Sequence, residues 1–479
     1  MTRTGLTIWC AIMTAACGAA PAPGGDDDDD VSLDARGSDG RAVDAADPPR
    51  PYTATPDGCD DLVDDLYRTP AGLPPLQPAD RGAIVRCVQG AVLDAAATEA
   101  AAAAAGATVA ATTGVSVVKL AYRTVRSDGS ATVTTATAWL PLSPHAWPAP
   151  VALIARSTSG IADTCAPSRG DLPLAELGLP LAARGLVAIA PDFAGLGNEG
   201  VHAYLDNREA AAQLFDGVRA LRGLVGDSIG DPVTALGYSQ GGGIVLSTQA
   251  LEHELTGART LRGVVAIAPE WPTSTASFGY QRVLRNPDLI TGTAGLGPPT
   301  VAVLRQYGWF ANRLGADHAG DSFPAAERAA LIDEIEGLCT VELGAAVGVQ
   351  QPRLRDLVDD GFRVAMLACI DGGPGCVEPA ASFHAWMLAD IVTADPAGAR
   401  VLIVQGLGDQ VMPAASQAAC DVAKLRAEGV VPEVCSDTFA THDTVLERKI
   451  EHAAAWAEAV ATGAPAPSCA SSFLPACTP

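Results

Sequence analysis

The sequence predicts an α/β domain built on a mixed, mostly parallel β-sheet with helices on both faces. Continuous apolar runs, typical of strands buried on both faces, are separated by helical stretches such as Arg208–Val225. These runs are Pro150–Ala155, Gly185–Ala190, Gly263–Ala268 and Arg400–Val404. A hairpin precedes them, and a glycine-flanked turn at Gly237–Gly241 joins a strand to a helix. An antiparallel pair followed by alternating strands and helices indicates this kind of sheet.

The first residues of the chain, 1–17, predict a targeting segment. Arg3 supplies a positive start, and Leu6–Ala16 is an apolar stretch too short to span a bilayer. Small residues at Thr14–Gly18 suit a cleavage site. Cys17 follows the small pair and resembles the lipidated cysteine of bacterial lipoproteins, which predicts an exported protein anchored at the outer surface through Cys17. Simple secretion and a retained cytosolic N-terminus are the alternatives.

Residues 18–56 predict a disordered tether that is acidic and rich in proline. Much of the net charge of −24 arises in and just after this segment, because Asp26–Asp65 holds fourteen aspartates against three arginines. The run Asp26–Asp30 lacks the alternating spacing and glycine turn of an EF-hand loop, which argues against a calcium site. The acidic body of the chain argues against nucleic acid as a partner.

The cysteine content agrees with export. Twelve cysteines occur, and ten remain once Cys10 and Cys17 are set aside. An even number outside the cytosol predicts about five disulfides. Local spacing suggests the pairs Cys369–Cys376, Cys420–Cys435 and Cys469–Cys477, although sequence alone leaves the connectivity open. Neither a C-x-x-C pair nor a histidine cluster has zinc spacing, so no structural metal is expected.

Ahead of the apolar runs, the sequence predicts two helices and the hairpin. One helix lies around Asp60–Tyr67, and the alanine-rich Ala91–Ala105 forms a second that ends at Gly106. Alternating apolar residues predict strands over Val115–Arg126 and Ala131–Leu140, and an Asp-Gly turn joins them.

Residues 57–479 are predicted to form one domain that carries an inserted cap. The interval from Pro269 to Arg400 is several times longer than the roughly 30 residues of a βαβ unit. Its contents are helical, with helices expected at Ala325–Leu338 and Arg353–Cys369. We therefore expect a helical cap over about residues 271–398, placed above Ser239. A peripheral decoration away from that serine is the alternative.

The segment Gly237-Tyr238-Ser239-Gln240-Gly241 predicts a serine nucleophile on a sharp strand-to-helix turn. Pro232–Leu236 before it is a short β-rich run, and small and apolar residues after it begin a helix. Side chains at Gly237 and Gly241 would collide with the neighbouring strand and helix. The turn leaves the Ser239 hydroxyl exposed above the sheet.

A serine hydroxyl needs a base to take its proton, and the base needs an acid to orient it. On this kind of sheet both come from loops after later strands. Asp409 follows the buried run ending at Val404 and is the predicted acid, with Asp437 as the weaker alternative. His442 lies between the strand-like Pro432–Phe439 and the next helix, and is the predicted base. The other histidines, among them His452 on that helix, lack this setting.

Two backbone donors are needed to stabilise an oxyanion. The N–H of Gln240, directly after the nucleophile at a helix N-terminus, is the first candidate. The second is expected from Arg156–Gly160, the loop after an earlier strand, with Thr158 as the donating residue.

These motifs together resemble the secretory lipase family of α/β-hydrolases. The matching pieces stand in order over about Val115–Val460: Ser157–Gly160 with Asp163, Cys165–Ser168, Arg184–Gly185, Ala190–Gly197, Tyr204–Leu205, Gly237–Gly242, Gln405–Gly406 with Asp409, and His442. As an ordered set they are specific. One departure is Arg156-Ser157, where bacterial relatives tend to carry a His-Gly pair.

The resemblance implies an α/β-hydrolase fold and hydrolysis of acyl esters of lipids through an acyl-enzyme. It implies Ser239, Asp409 and His442 as the catalytic triad, and a helical cap that controls access. It also implies a Cys165–Cys339 disulfide. No metal or cofactor is expected, and the expected partner is a lipid or ester substrate.

Three functions are therefore compared. The first is a carboxylic ester hydrolase, a lipase cleaving glycerides. The second is a serine peptidase, because the same triad cleaves peptides. The third is a non-catalytic lipid-binding lipoprotein on a hydrolase scaffold.

Overall fold

The computed structural model describes residues 52–172, 174–271, 279–289 and 297–478. The predicted targeting segment 1–17 and the tether up to residue 51 lie outside the described residues. Within the described ranges, no helix is both long and apolar enough to cross a membrane.

The described strands form one nine-stranded sheet in the order β1-β2-β3-β5-β4-β6-β7-β8-β9. The strands are β1 Ile84–Leu93, β2 Val115–Val125, β3 Ala131–Pro141, β4 Ala149–Ala155, β5 Val187–Pro191, β6 Ile229–Tyr238, β7 Gly263–Ile267, β8 Arg400–Gly406 and β9 Glu433–Asp437. The pairs β1–β2, β2–β3 and β3–β5 are antiparallel, and the other pairs are parallel. The predicted mixed, mostly parallel sheet is confirmed, and so is the hairpin, which is β2–β3.

Helices connect and follow these strands. They are α1 Ala95–Ala104, α2 Ala175–Ala182, α3 Asn207–Val225, α4 Gln240–Thr256, α5 Gly279–Leu284, α6 Pro298–Leu314, α7 Arg328–Gly337, α8 Thr340–Gln350, α9 Leu354–Leu357, α10 Asp360–Ile370, α11 Ala380–Asp390, α12 Ala418–Ala427 and α13 His442–Thr462. Helices α3, α4 and α12 share one hydrophobic core with the sheet, and α1, α2 and α13 share a second core.

The apolar runs are explained by burial on both faces of the sheet. Along β8, Val401 and Ile403 belong to the first core, whereas Leu402 and Val404 belong to the second. Successive side chains of a strand point to opposite faces, so a strand covered on both sides carries apolar residues at every position.

Two predictions near the N-terminus are wrong in extent. Instead of a helix at Asp60–Tyr67, the chain forms a 3₁₀ turn at Val63–Tyr67, and Asp60 forms a β-bridge with Val88. The strand β1 was not foreseen, and it takes up residues 91–93 of the predicted alanine-rich helix. That helix begins only after Asp94, whose side chain accepts a hydrogen bond from the Ala97 N–H and caps it.

Helices α5 to α11 lie between β7 and β8 and have a hydrophobic core of their own. Phe310 and Phe383 pack with ring centroids 5.4 Å apart in this core. The helix expected at Arg353–Cys369 is divided into α9 and α10. The division has a local cause, because the Asp359 carboxylate caps the Phe362 N–H and starts a new helix.

Five disulfides link the described cysteines: Cys59–Cys87, Cys165–Cys339, Cys369–Cys376, Cys420–Cys477 and Cys435–Cys469. The number is as predicted, and so are Cys165–Cys339 and Cys369–Cys376. The suggested pairs Cys420–Cys435 and Cys469–Cys477 are wrong. The C-terminal segment runs back along β9 and α12, where Ser436 donates its N–H to the Ser471 carbonyl, and this return path brings the distant partners together.

Candidate active site

Ser239 stands on the turn between β6 and α4, with backbone angles φ 56° and ψ −116°. A Cβ atom on Gly237 would lie 2.1 Å from the Gly241 carbonyl oxygen, and one on Gly241 would lie 1.9 Å from the Ala155 carbonyl oxygen on β4. Only glycine fits at either position, because the helix must start against both strands. The backbone is therefore held in a strained conformation that presents the serine.

The structure brings together the three predicted residues Ser239, His442 and Asp409. The Nε2 atom of His442 lies 2.9 Å from the Ser239 Oγ, and its Nδ1 atom lies 2.8 Å from the Asp409 Oδ2. Both distances are hydrogen-bond lengths. All three residues are buried. The arrangement can move a proton from the hydroxyl to the imidazole while the carboxylate holds the opposite ring nitrogen.

Local hydrogen bonds fix the Asp409 carboxylate and the His442 ring. The turn after β8 folds back so that the N–H groups of Val411 and Met412 donate to the Asp409 Oδ1, at 2.9 and 2.7 Å. His442 is the first residue of α13, and its carbonyl oxygen accepts a hydrogen bond from the Tyr238 hydroxyl at 2.8 Å. The residue before the nucleophile thus positions the base.

The alternative acid and histidine are engaged elsewhere. The Asp437 carboxylate forms ion pairs with Arg448 and Lys449, at 3.0 and 3.1 Å. His452 is half-buried, and its Nε2 lies 3.0 Å from the Cys469 Sγ. His452, Cys435 and Cys469 form the one group among the described residues whose ligand atoms are close enough for a metal. The Cys435–Cys469 disulfide removes both thiolates, so this group does not fit a zinc ion.

Of the two residues predicted to stabilise an oxyanion, Gln240 directly follows Ser239 and Thr158 lies on the loop after β4. Gln240 is the first residue of α4, so its N–H belongs to the first turn, which lacks intrahelical acceptors. The Thr158 hydroxyl is 2.8 Å from the Tyr204 hydroxyl, and the Thr158 carbonyl accepts a hydrogen bond from the Thr340 hydroxyl at 3.2 Å. Thr340 begins helix α8, so the loop after β4 is fastened to the helices inserted between β7 and β8.

Arg156 is the residue at which the sequence departs from bacterial secretory lipases, and its role was not predicted. Its buried guanidinium links the loops around Ser239. It donates to the Ser157 carbonyl and the Ser159 hydroxyl of its own loop, and to the Asp192 carbonyl after β5, at 2.8, 3.2 and 2.9 Å. It also lies 3.4 Å from the Gln240 Oε1. Arg156 therefore joins the loops that carry both oxyanion candidates.

His202 completes this network as a neutral acceptor. Its Nε2 lies 3.2 Å from the Arg156 Nη2 and 3.1 Å from the Gln240 Nε2, and both of those groups can only donate. Burial, followed by the charge of Arg156, holds the pKa of His202 well below its usual value. The only sequence signal for this pair is Arg156 itself. A guanidinium in the predicted oxyanion loop requires a buried hydrogen-bond acceptor, but the sequence does not indicate that His202 is that acceptor.

We expect Arg156→Met to lower kcat for ester substrates by about 10²-fold and to change KM by less than about threefold. Without the guanidinium, the loop after β4 and the side chain of Gln240 lose their common anchor, and the oxyanion donors are misplaced. Steady-state kinetics measure the split between kcat and KM. Arg400→Met is the matched control, because Arg400 is exposed at the N-terminal end of β8, whereas Asp409 follows the C-terminal end of that strand. A variant that melts earlier but keeps the wild-type kcat would leave Arg156 a structural role only.

Asp390 is a buried carboxyl group where α11 and α6 meet α3. It accepts hydrogen bonds from the Asn207 side chain and the Arg208 N–H, both at 3.2 Å, and lies 3.6 Å from Arg305. Burial raises the pKa of Asp390 to about 8, with a smaller contribution from the charge of Asp206, and Arg305 opposes the shift.

This raised pKa predicts that the free energy of unfolding decreases as pH rises. In the unfolded chain Asp390 loses its proton near pH 4, whereas the folded protein keeps it to about pH 8, so the contribution is lost between those values. We expect the Tm to fall by roughly 5 °C between about pH 5 and about pH 8. In Asp390→Asn we expect a fall of roughly half as much, because burial also raises the pKa values of Glu209 and Glu270 to about 7. Thermal melts across pH test this. Asp231→Asn, an exposed control, should melt as the wild type does at each pH.

The sheet order and the strained serine turn define the α/β-hydrolase fold. Solved structures agree with this class. Lipase A of Candida antarctica superposes with a TM-score of 0.59 at 16% sequence identity, over 86% of this chain and 88% of that chain. The rice cell wall degrading esterase LipA from Xanthomonas oryzae superposes with a TM-score of 0.57 at 17% identity, over 80% of this chain and 97% of that chain.

At identities this low, the superpositions show a shared fold. No protein-family profile matches the sequence, and no curated protein is similar to it in sequence.

Proposed function

We propose that this protein is a serine carboxylic ester hydrolase that cleaves acyl esters of lipids, with Ser239 as nucleophile, His442 as base and Asp409 as the orienting acid. The observation that carries the proposal is the continuous hydrogen-bonded relay from the Ser239 Oγ through both nitrogens of His442 to the Asp409 carboxylate. The lipase and esterase activities named for the structural neighbours support the reaction class.

In the proposed mechanism, the Ser239 Oγ attacks the acyl carbonyl while His442 Nε2 takes the hydroxyl proton. Asp409 stabilises the imidazolium that forms. The oxyanion is stabilised by the N–H of Gln240 and a donor from the Thr158 loop. His442 then donates its proton to the leaving alkoxide, which departs as the alcohol. A water molecule, deprotonated by His442, next attacks the acyl-enzyme, and the acid is released as Ser239 regains its proton.

The finer assignment to a secretory lipase is supported by two observations. The Cys165–Cys339 disulfide joins the loop after the oxyanion segment to the inserted helices, as the resemblance implies. Five disulfides suit an oxidising compartment, which supports export. We also propose that the exported protein is anchored at the outer surface through Cys17.

The experiment is labelling with a fluorophosphonate probe, followed by matched ester and peptide substrates. We expect one labelled residue, Ser239, located by peptide mass spectrometry, and turnover of glycerides and p-nitrophenyl esters. Turnover of the peptides instead of the esters would favour a peptidase. Absence of both labelling and turnover would favour the non-catalytic lipid-binding protein.

A further inference from the structure

A cavity lies between the inserted helices α5 and α6 and the loops after β7 and β8. Two of its lining residues are bonded to the relay. The Glu270 N–H donates to the Ser239 carbonyl at 3.1 Å, and the Met412 N–H donates to the Asp409 Oδ1 at 2.7 Å. The wall of the cavity is therefore bonded directly to the residues that carry the nucleophile and the acid.

Most of the lining is apolar and would suit a hydrocarbon chain. The apolar side chains come from both sides of the cavity: Leu205, Val283, Val301, Ala302, Val411 and Met412. Packing a hydrocarbon chain against these side chains removes apolar surface from water, which favours binding.

Glu270 does not fit a purely hydrocarbon site. It lines the cavity and is 4% exposed, and its Oε2 has no hydrogen-bond partner among the described residues. Burial raises the pKa of Glu270 to about 7, and the charge of Arg305 opposes the shift. Arg305, on α6, also lines the cavity and is 1% exposed. Buried polar atoms are nearly always hydrogen-bonded, so an unpartnered carboxyl oxygen in a cavity wall points to a partner that the ligand supplies.

We propose that this cavity binds the acyl chain of the substrate and that Glu270 selects acyl chains carrying a hydroxyl group, which donates a hydrogen bond to its carboxyl oxygen. The inference rests on the proposed ester hydrolase function. A plain alkyl chain would cover Glu270 and leave the oxygen without a partner. A hydroxyl group donates to a carboxyl oxygen and can also accept from a guanidinium such as that of Arg305.

The test compares p-nitrophenyl decanoate with a series of hydroxydecanoates in which the hydroxyl position moves along the chain. With the wild-type protein, we expect at least one hydroxydecanoate to exceed decanoate in kcat/KM by about 30-fold, because a site built to bond a hydroxyl discriminates against its absence. Equal or faster turnover of decanoate against every member of the series would overturn the proposal, and this comparison needs no variant.

Variants then assign the preference to Glu270. Glu270→Leu should remove the preference and raise kcat/KM for decanoate, whereas Glu270→Gln, which keeps an acceptor oxygen, should retain part of it. Glu334→Leu is the matched control, because Glu334 is a buried carboxyl on α7 that does not line the cavity. A preference that persists in Glu270→Leu would refute the role of Glu270.

Fluorophosphonate labelling in the same samples separates the two proposals. If Ser239 is labelled and no hydroxydecanoate is preferred, the acyl-chain inference fails alone. If Ser239 is not labelled and no ester is cleaved, the hydrolase proposal fails, and the acyl-chain inference fails with it.

Discussion

Ser239→Ala is expected to abolish ester turnover, with kcat falling by about 10⁶-fold, because no other group on the relay can form the acyl-enzyme. The Ser239 Oγ hydrogen-bonds to His442, and the turn itself is held by backbone contacts that alanine retains. We therefore expect the thermal transition to stay unchanged. The measurement is the initial rate with p-nitrophenyl esters beside a thermal melt of the same sample.

Ser472→Ala is the matched control for this loss, because Ser472 is exposed on the C-terminal segment far along the chain from the relay. It should keep full turnover and full fluorophosphonate labelling. Substantial turnover in purified Ser239→Ala would refute the assignment of the nucleophile, whatever the control shows.

The parts of the fold that sequence predicts well are those with a local signal. The strands β4 and β7 are apolar at every position, and β8 is apolar from Val401 to Val404, since helices cover both faces of the sheet. The need for glycine at Gly237 and Gly241 could also be predicted, because a side chain at either position would collide with neighbouring backbone atoms. Strand β1 carries no comparable signal, since its residues are half-buried and its run merges with the alanine-rich segment.

In the candidate site, too, some residues could be predicted from local sequence patterns and others could not. Asp409 and His442 could be predicted, because each follows a strand of a sheet whose order is known for this kind of chain. The disulfides of Cys420 and Cys435 could not be predicted. Their partners lie on the C-terminal segment, and no local sequence pattern indicates the path of that segment back along β9 and α12. The network of Arg156 and His202 depends on contacts between residues 46 positions apart, so only the folded chain reveals it.

Asp409→Asn is expected to lower kcat by about 10⁴-fold with little change in KM. The reason lies in how the carboxylate is held. The N–H groups of Val411 and Met412 donate to Oδ1, so the asparagine must place its carbonyl oxygen there and its NH₂ group toward the Nδ1 atom of His442. A donor at that position makes Nδ1 an acceptor and leaves the proton on Nε2. The imidazole can then no longer accept the proton of Ser239.

Asp437→Asn is the matched control, since Asp437 is the weaker alternative acid suggested by the sequence, lies at the end of β9, and has Arg448 and Lys449 as its partners. It should keep wild-type kcat and lose some stability at most, because its ion pairs involve partly exposed cations. Measured kcat for both variants, with p-nitrophenyl esters at a pH where the wild type is fully active, decides the assignment. If Asp437→Asn were the impaired variant and Asp409→Asn the active one, the relay would have to run through the alternative acid, against the 2.8 Å contact between His442 and Asp409.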